Sequence, residues 1–112
     1  MKQIYLASPF FNDTELVVYK ETISRLRNAG YKVHVPQEHE IKNAWDYSNA
    51  DWARMVFDMD VDALRVSDVV MVLNFGMYSD SGTAWEAGFA AALEIPVIQV
   101  LCGFENCTYS LM

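Results

Sequence analysis

The feature that most constrains the fold is an alternation of short apolar runs with longer segments whose apolar residues recur at helical spacing. Residues 4–7 form a brief apolar run closed by Ser8-Pro9. Asn12 or Asp13 can cap a helix whose apolar positions Leu16, Tyr19, Ile23 and Leu26 lie three and four apart, and Gly30 supplies a left-handed stop. Residues 31–35 then alternate in strand fashion until Pro36. After a polar loop, Asn49 or Asp51 can start a second helix running to about Val66. Residues 69–73 are a continuous, largely β-branched run, the mark of a strand buried on both faces. The loop 74–82 leads into a third helix over 83–93, Pro96 ends the connection, and 97–101 reads as another buried strand. The pattern β-α-β-α-β-α-β predicts an α/β fold with a doubly wound parallel sheet. Right-handed crossovers give it the strand order 2-1-3-4.

That order predicts where a ligand sits. In an open parallel sheet the binding crevice lies beyond the carboxyl ends of the strands, where the order reverses. The reversal falls between the first and third strands, so the loops 8–12 and 74–82 should border it, with 36–39 alongside. The 112 residues leave room for one domain, 1–112, and 53% of them are apolar, enough to fill one core. The formal charge of −7, with eight scattered Lys and Arg, provides no basic face for a nucleic acid. Cys102 and Cys107 make neither a metal site nor a disulfide framework and are expected as reduced thiols. The first apolar run is too short for a signal peptide, and no stretch approaches the ~20 apolar residues of a membrane span. A cytoplasmic protein is expected.

Three carboxylates draw attention. Glu86 follows Asp80-Ser81-Gly82-Thr83-Ala84-Trp85 at the predicted switch point. Thr83-x-x-Glu86 can be a capping box, with Glu86 reaching back to the Thr83 amide. Alternatively, Glu86 is a nucleophile kept ionised by the helix N-terminus, with small neighbours Ala87 and Gly88 that admit a close ligand. Asp60 lies within or beside the stripe Trp52, Val56, Met59 and Ala63, whereas Asp58 and Asp62 point away. An aspartate near an apolar face suits a proton donor; the plainer reading has it tie down a neighbouring backbone. Asp68 reads as a turn residue. Tyr5, the polar member of the first strand's apolar run, needs a hydroxyl partner, and a carboxylate in the crevice is a natural one. Phe10 and Phe11 could stack on a flat heterocycle or mediate an oligomer contact. His34 and His39 lack metal-ligand spacing, no metal site is expected, and no glycine-rich phosphate loop occurs.

The segments Ile4-Tyr5-Leu6-Ala7-Ser8-Pro9-Phe10-Phe11, Asp60 with Ala63-Leu64 and Ser67-Asp68, and Asp80-Ser81-Gly82-Thr83-x-x-Glu86-x-Gly88 resemble the nucleoside 2-deoxyribosyltransferases. The resemblance runs through nearly the whole chain. It implies a flavodoxin-like fold and transfer of 2-deoxyribose between bases in nucleoside salvage, without a cofactor. It would make Glu86 the nucleophile and Tyr5 its orienting partner. Asp60 and Asp80 would handle base and sugar, with Ser81, Gly82, Phe10 and Phe11 around the substrate. The family usually continues with a further, fifth strand and carries an Asn-Leu-Met segment that reaches a neighbouring subunit's site. The matching place here is Ser110-Leu111-Met112, with serine for asparagine. The partners expected are a deoxynucleoside, a free nucleobase and further copies of the chain in a homo-oligomer.

The implied chemistry is a double displacement. A carboxylate attacks C1′ as a protonated base leaves, and a second base attacks the same carbon. The nearest rival is hydrolysis of the N-glycosidic bond in deoxynucleosides or their 5′-monophosphates. Phosphate usually recruits Arg or Lys, which the loops after the first and third strands lack. A non-catalytic nucleotide-binding domain is the rival of another class, and acidic groups at 60, 80 and 86 oppose it by repelling phosphate.

Overall fold

The computed structural model describes residues 2–38, 41–76 and 79–102. Its central element is a four-stranded parallel sheet ordered β2-β1-β3-β4, built from β1 (Gln3–Ala7), β2 (Lys32–His34), β3 (Val69–Asn74) and β4 (Val97–Leu101). Helices α1 (Asp13–Asn28), α2 (Asn49–Arg65) and α3 (Ser81–Ala92) form the crossovers. The alternating periods thus give the expected doubly wound sheet, in the expected order. His39, Cys107 and Ser110-Leu111-Met112 lie outside the described residues, as does any strand that would follow β4.

Local chemistry explains where the elements start and stop. Asn12 caps α1, its side-chain oxygen accepting the Glu15 N–H at 2.9 Å. At the other end Gly30, at φ +95°, donates to Arg27 O while Tyr31 donates to Leu26 O. These paired bonds satisfy the last carbonyls of the helix and need a left-handed residue between them. The cap of α2 is Ser48, which accepts the Asp51 N–H at 3.1 Å, rather than Asn49 or Asp51. Asn49 instead becomes the first helical residue. Helix α3 also ends on a left-handed residue, Glu94 at φ 61°, although no glycine marks that stop.

The two sheet faces bury different residues, as period-two alternation requires. Tyr5, Ala7, Val70 and Val72 pack with Ala63, Leu64 and Ala90 from α2 and α3. Leu6, Leu73, Val33 and Val35 pack with Tyr19 and its neighbours on α1. Asp68 is more than a turn residue: its carboxylate accepts the Gln3 N–H at 2.8 Å and its own N–H donates to Gln3 O at 2.9 Å. This clamp sets the start of β1 against β3. On the far side of β1, Arg27 binds Glu38 at 2.6 Å and Val33 O at 3.1 Å, fixing the turn Pro36–Glu38 that follows β2.

β4 departs from expectation. It pairs with β3 along its full length, yet Val97, Ile98 and Leu101 are exposed, and on this edge strand Val100 alone among the apolar residues is half-buried, packed against the α1-side core. Apolar composition alone does not distinguish an edge strand from a central one. Among the described residues no helix is long and apolar enough to cross a membrane.

Two glycines test the backbone reading. A Cβ at either Gly30 or Gly88 would meet nothing within 4 Å, so packing is not at issue. Gly30→Ala should cost about 1 kcal/mol because alanine resists the left-handed conformation. Gly88→Ala, inside α3, should instead stabilise by about 0.5–1 kcal/mol. Urea denaturation of both variants checks the opposite signs.

Candidate active site

The crevice at the switch point is a cavity of about 530 Å³ bordered by β1, α1, α2 and the start of α3. Its decisive contact joins two residues far apart in the chain. Tyr5 is fully buried on β1, and its hydroxyl donates to Glu86 Oε2 on α3. Helix α3 can lie close enough for this because it meets the sheet through small side chains, with Ala90 fully buried and Ala87 packed beside it. His34, paired with Tyr5 across the β1–β2 ladder, stacks on the tyrosine ring at 5.2 Å and 19°. The ring is therefore held from the side while its hydroxyl holds the carboxylate.

This arrangement corrects the capping-box alternative. The N-cap of α3 is Asp80, whose Oδ2 accepts both the Thr83 N–H at 3.0 Å and the Thr83 hydroxyl at 3.1 Å. The helix consequently starts at Ser81, two residues before the expected start, and Glu86 sits in its second turn. From there it faces the sheet and cannot serve the first turn. The expectation that the helix terminus keeps Glu86 ionised also fails. The dipole's influence is confined to the first turn, whereas burial, reinforced by Asp60 and Asp80 and opposed by the Tyr5 hydrogen bond, pushes the Glu86 carboxyl up to about 7. Burial and the facing Glu86 carboxylate likewise push the Tyr5 hydroxyl far above its usual range, so it remains a neutral donor.

Helix α2 supplies the opposite wall. Asp60 is half-buried and borders the cavity together with Trp52, Val56 and Met59, while Asp58 and Asp62 are exposed. The stripe identified in the sequence is thus divided: Ala63 joins the core, and the other three residues face the cavity. Asp60, Asp80, Glu86 and Gly82 all border the same space, as do Phe10 and Phe11. Ser81 is exposed at the start of α3 and does not line it. Phe10 stacks on Tyr19 at 5.3 Å, whereas Phe11 is largely exposed and leans on Phe10 at 5.4 Å. A second opening of about 390 Å³, between Phe57 and Trp85, reaches Asp60 and Glu86 from the other side.

Tyr19 borders the cavity too, a position the sequence reading missed by placing it simply among the apolar positions of α1. It is 1% exposed, and its buried hydroxyl oxygen has no hydrogen-bond partner among the described residues. A tyrosine on an otherwise aliphatic face was the available signal, since a buried phenol needs a partner. Among the described residues no group of three or more His, Cys, Asp and Glu is placed to hold a metal ion.

The family model of nucleoside 2-deoxyribosyltransferase matches residues 4–109. The chain belongs to that family. Membership indicates a nucleoside-acting glycosyl enzyme, either a deoxyribosyltransferase or a related N-glycosidase. Among solved structures, a 2-deoxyribosyltransferase from Bacillus psychrosaccharolyticus is 31% identical with a TM-score of 0.80, covering 95% of this chain and 77% of its own. A conserved protein from Enterococcus faecalis V583 is 27% identical with a TM-score of 0.72, covering 88% of this chain and 62% of its own. A CMP N-glycosidase from Clostridium botulinum, 22% identical with a TM-score of 0.64 over 89% of this chain and 71% of its own, shares the fold. No curated protein matches significantly.

The raised Glu86 carboxyl links the site to stability. Folding moves its titration from about 4.5 to about 7, so between those values the native state holds the extra proton. Its contribution is fully present below about 4.5 and is lost as pH rises through about 7. Glu86→Gln keeps an oxygen for the Tyr5 hydroxyl and removes the buried charge. The variant should therefore be more stable than wild type at pH 8, by on the order of 3 kcal/mol, with the gap closing toward pH 4.5. Chemical denaturation across that range measures it.

Proposed function

We propose that this member of the family transfers 2-deoxyribose between nucleobases by double displacement, with Glu86 as the nucleophile. The observation that carries the reading is the buried Glu86 carboxylate, held by the Tyr5 hydroxyl at one edge of a cavity that Asp60 and Asp80 also border. In the first half-reaction a Glu86 oxygen bonds to C1′ as the bond from C1′ to the base nitrogen breaks. Asp60 gives its proton to the departing base. In the second half, the incoming base loses a proton to Asp60, its nitrogen bonds to C1′, and Glu86 departs as carboxylate. The developing positive charge on the sugar is stabilised by the surrounding carboxylates. Tyr5 orients Glu86 and helps it leave. Asp80 is the binder of sugar or base, and Gly82 leaves space beside it. Phe10 and Phe11 form an apolar border suited to a heterocycle, and Ser81 lies at the rim.

No lysine or arginine lines the cavity among the described residues, which favours neutral nucleosides over nucleotides. The exposed apolar β4 edge, with Val97, Ile98 and Leu101, supports a homo-oligomer. We place the enzyme in the cytoplasm, where free nucleosides and bases are salvaged.

Incubation with a deoxynucleoside and a different free base, followed by chromatography, separates the activities. A new deoxynucleoside is expected; free base and sugar alone would indicate a hydrolase, and no turnover would remove the proposal. Turnover of deoxynucleosides should exceed that of their 5′-monophosphates about tenfold or more, and the reverse preference would contradict the acidic-cavity argument. Asp60→Asn should slow cleavage by ~10²–10⁴-fold, with little change for Asp58→Asn or Asp62→Asn. Because Glu86 must be ionised to attack, kcat/KM should fall as pH drops below about 7.

A further inference from the structure

The Tyr5 ring stands in a row of side chains that runs across three strands. His34 on β2 is its partner in one ladder and Val70 on β3 its partner in the other. Residues in register in a parallel sheet point to the same face, so the phenol lies between the imidazole and the valine. Val70 is fully buried and packs in the same core cluster as Tyr5. On the other flank the imidazole meets the phenol face to face, at 5.2 Å and 19°. Beyond His34 the sheet ends, because β2 is an edge strand. A second cavity, of about 640 Å³, opens there between β2 and α2, and His34 borders it together with Arg27, Lys32, Glu38 and Asp62. All four of these charged residues are exposed, so the space is polar and wet. The half-buried imidazole thus stands between that space and a fully buried phenol.

We propose that His34 is a positioning residue for Glu86: its ring closes the site on the β2 side and keeps the Tyr5 phenol turned toward the carboxylate. The inference deepens the proposed function and rests on its assignment of Glu86 as the reacting group. The Tyr5 hydroxyl has one productive direction, toward Glu86 Oε2 on α3. Val70 blocks a swing toward β3. A swing toward β2 would carry the hydroxyl off the carboxylate and into reach of water. A flat ring in face contact resists that swing without competing for the hydroxyl, whereas alanine would leave the way open. A small displacement of an orienting group costs rate out of proportion to the energy of the contact that was lost. The contact uses the face of the imidazole, so phenylalanine retains it.

Carbon-13 NMR titration of the Glu86 carboxyl, in wild type, His34→Ala, His34→Phe, Tyr5→Phe and the Tyr5→Phe, His34→Ala double variant, tests this without turnover. Asp60 and Asp80, which also act on Glu86, are the same in every variant. The Tyr5 hydrogen bond holds the Glu86 titration down against burial, so Tyr5→Phe should raise it above about 7. His34→Ala should raise it too, His34→Phe should leave it near the wild-type value, and His34→Ala should add nothing once Tyr5→Phe is present. A shift that persists in the Tyr5→Phe background would overturn the inference, because His34 would then act by another route. An unmoved titration in His34→Ala would overturn it, as would a fall, which would show water reaching the carboxylate. His34→Phe behaving like His34→Ala would overturn it as well. If His34→Ala does not fold, His34→Leu, which fills the place without a flat face, takes its part with the same expected shift. In the transfer assay His34→Ala should lower kcat about tenfold to 100-fold with KM little changed, and unchanged kcat in an active enzyme would contradict the inference. The expected carboxyl shifts in a protein that transfers no deoxyribose would leave His34 as the positioning residue of Glu86 and remove the double-displacement reading.

Discussion

A hydrogen bond from Tyr5 on the first strand to Glu86 on the last described helix joins positions 81 residues apart. It can form only when β1 and β3 are paired, α3 has packed down on Ala90, and the chain between them has completed two crossovers. The contact is consequently a product of the whole fold. It also carries a conflict: a carboxylate has been taken out of water and set near two further carboxylates, with a neutral phenol as its donor. Burial and like charge push its carboxyl up to about 7, and the hydrogen bond offsets only part of that. Such a group is a poor contributor to stability at neutral pH and a reactive one in a closed site.

The surrounding structure keeps this conflict local. Asp80 is anchored by Thr83, so one acidic neighbour is committed to the helix cap and fixed in place. Asp60 is carried by a 17-residue helix whose buried residues Val61, Ala63 and Leu64 lock its rotation against the sheet. His34 supports the Tyr5 ring from the neighbouring strand, which extends the arrangement to the edge of the sheet. Rigid elements thus hold groups that would otherwise move apart.

Much of this was legible in the sequence because the governing signals are periodic. Apolar runs and helical spacing gave the order of elements, and the order gave the switch point. Gly30 announced the end of α1 because only a residue at ease with positive φ fits there. The end of α3 was less legible, since Glu94 occupies a left-handed position that no local signal marks. The cap of the same helix was misassigned for a related reason. Asp80 and Thr83 are both good caps, and the choice between them depends on where the preceding loop delivers the chain. The exposure of β4 and the place of Tyr19 at the cavity depend on what lies across from them, which periodicity does not report. Asp60 could be singled out because its helical phase separates it from Asp58 and Asp62.

The most direct test asks whether Glu86 becomes covalently attached to the sugar. Wild-type protein mixed with a deoxynucleoside, without acceptor base, is quenched in acid and its intact mass measured. It is then digested, and the peptide containing Trp85-Glu86 is sequenced by fragmentation. A mass gain of one deoxyribosyl group on Glu86, discharged when a free base is added before quenching, is the predicted result. Active protein that releases base yet never carries the sugar, or carries it on another residue, would contradict the assignment of Glu86 as nucleophile.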